Sequence, residues 1–243
     1  MRVKTAFLRY RTEVVIFTVG AILFLGGLAN VVISNRTTRT SDLDLRPDVE
    51  GPAALGEVGP GPDEDLGAYV ARKKELLANR SEGAGREESF AVVSFDSYRT
   101  AGQAESFLAA SKLDAHSLHV RVPLPGYSSE SIPVADAGVI ASVDTYRQET
   151  LASLKEELSE LEKIIPTVTD REFKRVYQED AESRRTAISI LEGEAPVVYG
   201  VVARGTHASL SKAGAAPGIR LVDVPDDPGV TPDTHRFRAI VPS

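Results

Sequence analysis

Residues 90–124 read FAVVSFDSYRTAGQAESFLAASKLDAHSLHVRVPL, and the fold turns on them. The run from Phe90 to Tyr98 is rich in β-branched and aromatic side chains and predicts a strand. Thr100-Ala101-Gly102-Gln103 is a capping-box pattern: the Thr hydroxyl and the Gln side chain satisfy backbone amides that a first helical turn leaves unbonded. The helix that follows presents Ala104, Phe107 and Leu108 to a core. Leu118, Val120, Val122 and Leu124 then alternate with His119, Arg121 and Pro123, the period of a half-buried strand.

The plan returns near the end of the chain. Residues 197–203, VVYGVVA, predict a strand, and Gly205-Thr206 turns into a short helix with Leu210 and Ala213 inward. Pro217-Gly218 is a turn signal, and residues 219–224, IRLVDV, predict a second strand. Two strand–helix–strand units in one chain predict an α+β domain of the ferredoxin-like, split-βαβ kind over residues 89–243, with two helices on one face of a four-stranded sheet. After the turn-rich run from Pro225 to Gly229, Phe237, Ala239 and Val241 alternate with Arg236, Arg238 and Ile240. That alternation predicts a last strand at a sheet edge.

Between the halves, where such a fold has a short hairpin, lies a long helical insertion at about residues 134–193. Leu151, Leu154, Leu158, Leu161 and Ile165 form a coiled-coil seam. Lys155 and Lys163 mix with Glu156, Glu157, Glu160 and Glu162 on the wet face. Pro166 ends the helix, and Thr169-Asp170-Arg171-Glu172 is a second capping-box pattern. The next helix carries Phe173, Val176, Tyr177, Ala181, Arg184, Ile188 and Leu191. A short connection implies an antiparallel hairpin. A helix of about 25 residues reaches nearly 40 Å at 1.5 Å per residue, so the hairpin need not lie wholly on the sheet and is expected to pair with a protein partner or a second copy; the alternative is a seam wholly covered by the second helix. The five seam residues are the candidate contact.

Ahead of the domain, residues 63–82 have helical spacing. Leu66, Tyr69, Val70, Leu76 and Leu77 share one face, and Arg72, Lys73 and Lys74 lie around the other. Residues 35–62, rich in Gly, Pro and acid, read as a flexible linker. Residues 14–34 are expected to form a single transmembrane helix: from Val14 to Ile33 the chain reads VVIFTVGAILFLGGLANVVI, with no charge. About 20 apolar residues span a bilayer as a helix. Arg2, Lys4, Arg9 and Arg11 precede the span, which predicts a short cytoplasmic tail over residues 1–13 and an extracytoplasmic C-terminal domain. The competing reading is a cleaved signal peptide with Gly27-Leu28-Ala29 at its cleavage site. The arrangement resembles, in architecture alone, the bitopic scaffold subunits of bacterial envelope machines such as pilus assembly and type II secretion. No residue motif carries that likeness, so it transfers no site.

Composition narrows the classes further. The chain has 243 residues and a net charge of −7, which argues against a nucleic-acid partner. Cysteine is absent, which removes disulfides, thiolate zinc sites and cysteine nucleophiles together. HExxH, GxSxG, a phosphate-cradling glycine loop and EF-hand spacing are all missing. His116 and His119, three apart on a strand, are expected to point to opposite faces and not to share a metal. His207 opens a helix and His235 lies in the tail, neither beside a marked acid. No catalytic residue, metal or cofactor is expected. The sequence therefore predicts a non-enzymatic, single-pass protein of a bacterial envelope assembly. The alternatives are a sensor that binds a small ligand in the groove between sheet and hairpin, and an envelope hydrolase assembled from Ser, His and Asp.

Overall fold

The run FAVVSF is apolar on both alternations, which suits a strand covered on both faces. In the computed structural model it lies inside β2 (Glu88–Arg99), flanked on both sides within a five-stranded sheet. The structure describes residues 56–61, 63–83, 86–227 and 229–242. The expected membrane span, the tail before it and residues 35–55 of the linker lie outside them. Among the described residues, no helix is long and apolar enough to cross a membrane.

In chain order the elements are β1 (Gly56–Val58), α1 (Leu66–Gly83), β2, α2 (Ala101–Ser111), β3 (Asp114–Val120), β4 (Glu130–Pro133), α3 (Val139–Ile164), a 3-10 turn (Ile165–Thr167), α4 (Arg171–Glu192), β5 (Val198–Thr206), α5 (His207–Gly214), β6 (Ile219–Asp223) and β7 (His235–Phe237). The large sheet has the order β4-β3-β5-β2-β6, and every neighbouring pair is antiparallel. The strands of the first unit, β2 and β3, thus alternate with those of the second, β5 and β6. β4 was not read from the sequence. It pairs Glu130 with Val120 and Pro133 with Ser117.

One face of the sheet carries the main core. Ala91, Val93 and Phe95 of β2 and Val201 and Ala203 of β5 meet Phe107 and Leu108 of α2, Val143 and Tyr146 of α3 and Leu210 of α5. The capping box forms as expected: the Gln103 amide donates to the Thr100 hydroxyl, and the Thr100 amide donates to the Gln103 side chain. Val92 and Val202 point the other way, toward Val58, Val230 and Phe237. Those last residues belong to or adjoin a separate ribbon in which β1 runs parallel to β7. The linker reading therefore stops short of Gly56, because Val58 brings an apolar side chain into this second core. The last strand is also shorter than the alternation predicts. It stops at Phe237, and the Ile240 amide instead donates to the Ser94 hydroxyl at 2.9 Å. At Gly200 of β5 the Cβ of Ala239 comes within 2.3 Å of where a side chain would begin, so this crossing admits only glycine.

The hairpin of α3 and α4 is laced by ion pairs across its two helices: Lys155 with Glu192, Arg184 with Glu157, and Arg185 with Glu162. Its base is tied by Arg147, a buried side chain that donates to the carbonyls of Leu191 and Ala195. A cation at the end of α4 also complements the negative end of the helix dipole. The cap of α4 sits one residue later than the capping-box pattern implies. Asp170 accepts from the amides of Glu172 and Phe173, at 2.8 and 3.2 Å.

Candidate functional site: a groove between β4 and α3

Helical spacing places Ser142, Thr145, Tyr146, Glu149, Thr150 and Ser153 along one stripe of α3. That stripe faces the short edge strand β4 and the turn after it, where Glu130, Ile132, Pro133 and Ala135 complete the lining. The two walls enclose a groove of about 520 Å³. It lies between the sheet and the hairpin. Gly138, with a φ of 94°, makes the tight entry into α3. Ser142 secures that turn: its hydroxyl accepts from the Ala135 amide at 2.8 Å and donates to the Gly138 carbonyl at 3.0 Å.

The electrostatics of the groove are those of two like charges held near an apolar wall. Burial, and then the neighbouring Glu149, push the Glu130 carboxyl above its ordinary range. Burial, and then the charge of Glu130, push the Tyr146 phenol up to about 12. Among the described residues, no Lys, Arg or His lines the groove.

A second polar cluster is sealed at its centre. Lys73 of α1, only 4% exposed, lies 3.2 Å from Asp223, which is 1% exposed. Its ammonium also donates to the Val224 carbonyl at 2.9 Å and pairs with Asp226 at 3.1 Å. The Tyr69 hydroxyl donates to the other oxygen of Asp223. Lys73 was expected on the wet face of this helix; instead it reaches inward to the end of β6. Burial pushes the Asp223 carboxyl up, and the bonds from Tyr69 and Lys73 hold it back. The cluster clamps α1 onto the domain and is closed to a substrate.

One histidine departs from the expected pattern as well. A bulge between Ala115 and Ser117 breaks the alternation of β3. His116 is exposed and meets Phe90 edge-on at 5.8 Å. His119 is 5% exposed, lies 5.8 Å from the ring of Tyr199 and has no hydrogen-bond partner for Nε2 among the described residues. Burial lowers its pKa to about 4, so it stays neutral at neutral pH. Nothing in the single sequence marks it as a core residue rather than a solvated one. His207 is buried at the start of α5 behind the Thr206 cap. The His235 Nδ1 contacts the Thr234 hydroxyl at 3.0 Å. Among the described residues no group of three or more metal-ligating side chains comes together.

The five seam residues divide between base and tip. Leu154 is buried, and Leu151 and Leu158 pack against the main core. Leu161 and Ile165 are half-buried nearer the tip. Two of the apolar residues that α4 carries are open to solvent, Phe173 at 62% and Val176 at 49%.

The fold defines a mixed α+β protein: a five-stranded antiparallel sheet with helices, one pair of them a long hairpin. No family model, curated protein or solved structure matches the chain.

Proposed function

We propose that this chain is a non-enzymatic, single-pass membrane protein. Its ferredoxin-like domain stands outside the cytoplasm and uses the helical hairpin for protein–protein contact in a bacterial envelope assembly. The interleaved order β3-β5-β2-β6 supports the split-βαβ reading of the domain. The observation that carries the interaction reading is the exposed apolar pair Phe173 and Val176, near Leu161 and Ile165 in a hairpin whose first helix is about 39 Å long. An exposed apolar surface rimmed by charge is where proteins meet other proteins. The seam at Leu151, Leu154 and Leu158 supports the hairpin from within; the tip makes the contact.

A photo-crosslinking residue at position 173 in the full chain tests this in membranes. Crosslinks to one discrete protein, lost on Val176→Asp in a chain that keeps its fold, support the reading. A position that captures nothing but solvent or lipid removes it. A second reading, a module that binds a small ligand, is favoured by the groove between β4 and α3. Its volume of about 520 Å³ falls within the range of small-molecule sites, roughly 300–1,000 Å³.

A further inference from the structure

We infer that the groove between β4 and α3 binds a small organic cation, an ammonium or guanidinium on a compact apolar body. The inference rests on the second reading above, that this groove holds a small molecule, and it names the ligand class. Three observations converge on that class.

The first is charge. Glu130 and Glu149 both line the groove, and neither has an ion-pair partner among the described residues. A cation between them replaces their mutual repulsion with two charge-assisted hydrogen bonds. The second is the direction of the hydroxyls. Ser142 donates to the Gly138 carbonyl, Thr145 to the Ala141 carbonyl and Ser153 to a Glu157 carboxylate oxygen. Tyr146 and Thr150 share one bond, which commits one of their two hydroxyl protons. Four of the five hydroxyl protons along this stripe are thus committed, so the groove offers a ligand more lone pairs than donors. An ammonium or guanidinium brings only donors; a carboxylate, a phosphate or a sugar needs donors in return. The third is the wall. Ile132, Pro133 and Ala135 present apolar surface between the carboxylates and the turn into α3, which suits a hydrocarbon or aromatic body.

Two other occupants fit less well. A hard metal ion takes six or more oxygens, and two carboxylates on separate elements fall short of that. A peptide added as a strand along β4 meets a blocked edge. The Val134 amide donates to His116 and continues the β3 pairing, so the alternate residues Ser131 and Pro133 face outward, and proline has no amide to give.

Calorimetric titration of the full chain in detergent micelles tests the inference. The probes are tyramine, its neutral counterpart tyrosol and its anionic counterpart 4-hydroxyphenylacetate, with agmatine as the guanidinium. Tyramine or agmatine is expected to bind, tyrosol at least about tenfold more weakly, and the anion not at all. Replacing both carboxylates, Glu130→Gln with Glu149→Gln, is expected to weaken the cation at least about tenfold without lowering the unfolding midpoint. Ser153→Phe, which fills the groove from its rim and leaves both carboxylates, is expected to abolish binding. Tyrosol binding as tightly as tyramine would keep the groove as a ligand site and overturn its charge preference. Cation binding that survives Ser153→Phe would overturn the location. Silence from all four probes at millimolar concentration would overturn this inference and the ligand reading beneath it.

Discussion

At the scale of single residues, the domain depends on polar groups whose roles only the tertiary structure decides. Lys73→Met leaves the Asp223 carboxylate buried with its main countercharge gone, and breaking a buried pair in this way costs about 3–5 kcal/mol. Urea unfolding of the variant is expected to show that loss, and the double variant Lys73→Met with Asp223→Leu is expected to recover most of it. His119 gives a pH signature of definite sign. Its folded pKa, about 4, lies below the ordinary value of 6.5, so the unfolded chain takes up a proton that the folded chain refuses. Its contribution is present in full above pH 6.5 and declines as the pH falls toward 4, on the order of 3 kcal/mol in all. Unfolding free energies across that interval are expected to flatten in His119→Leu; an unchanged slope would assign the acid sensitivity elsewhere. Both residues were misplaced by pattern reasoning for a physical cause. Lys73 sits among Arg72 and Lys74 and reads as solvated until β6 brings Asp223 to it from 150 positions away. His119 stands at a polar position of an alternating strand whose second face also happens to be covered.

At the scale of elements, local chemistry was legible wherever a motif is self-contained. The Thr100–Gln103 capping box, the two strand–helix–strand units and the leucine seam of α3 each carry their signals within one continuous stretch of chain. β4 did not, because Glu-Ser-Ile-Pro has too few apolar residues to mark a strand and forms by pairing with β3. A groove between sheet and hairpin was legible as an alternative, but not its lining, four of whose ten residues come from β4 and the turn behind it. The cap of α4 illustrates a finer ambiguity. Thr169 and Asp170 are adjacent capping residues, and the structure uses the second. Asp170→Ala is expected to cost about 1 kcal/mol, and Thr169→Ala much less, by thermal unfolding. Arg147→Ala is expected to loosen the hairpin base, seen as faster amide exchange around residues 191–195, where its two carbonyl partners lie.

At the scale of the molecule, both elements ahead of the large sheet are tied to the domain: β1 pairs with β7, and α1 packs against β6. The helix α1 makes the stronger polar attachment. It is clamped by Lys73 and Tyr69 to β6 and by Arg80 to the carbonyls of Pro225 and Asp226. At the far end of the sheet order, β4 and its groove adjoin the hairpin. The proposal as a whole is that lipid holds one end of the chain while the acidic, cysteine-free domain works outside the cytoplasm. The most direct measurement applies protease to intact protoplasts and follows the C-terminus of the full-length chain by immunoblot, beside fractionation of the same cells. The account predicts that the chain sediments with membranes and that its C-terminal domain is digested while cytoplasmic markers survive. A chain recovered intact in the cytosol, or a domain that resists protease until the membrane is opened, would contradict it.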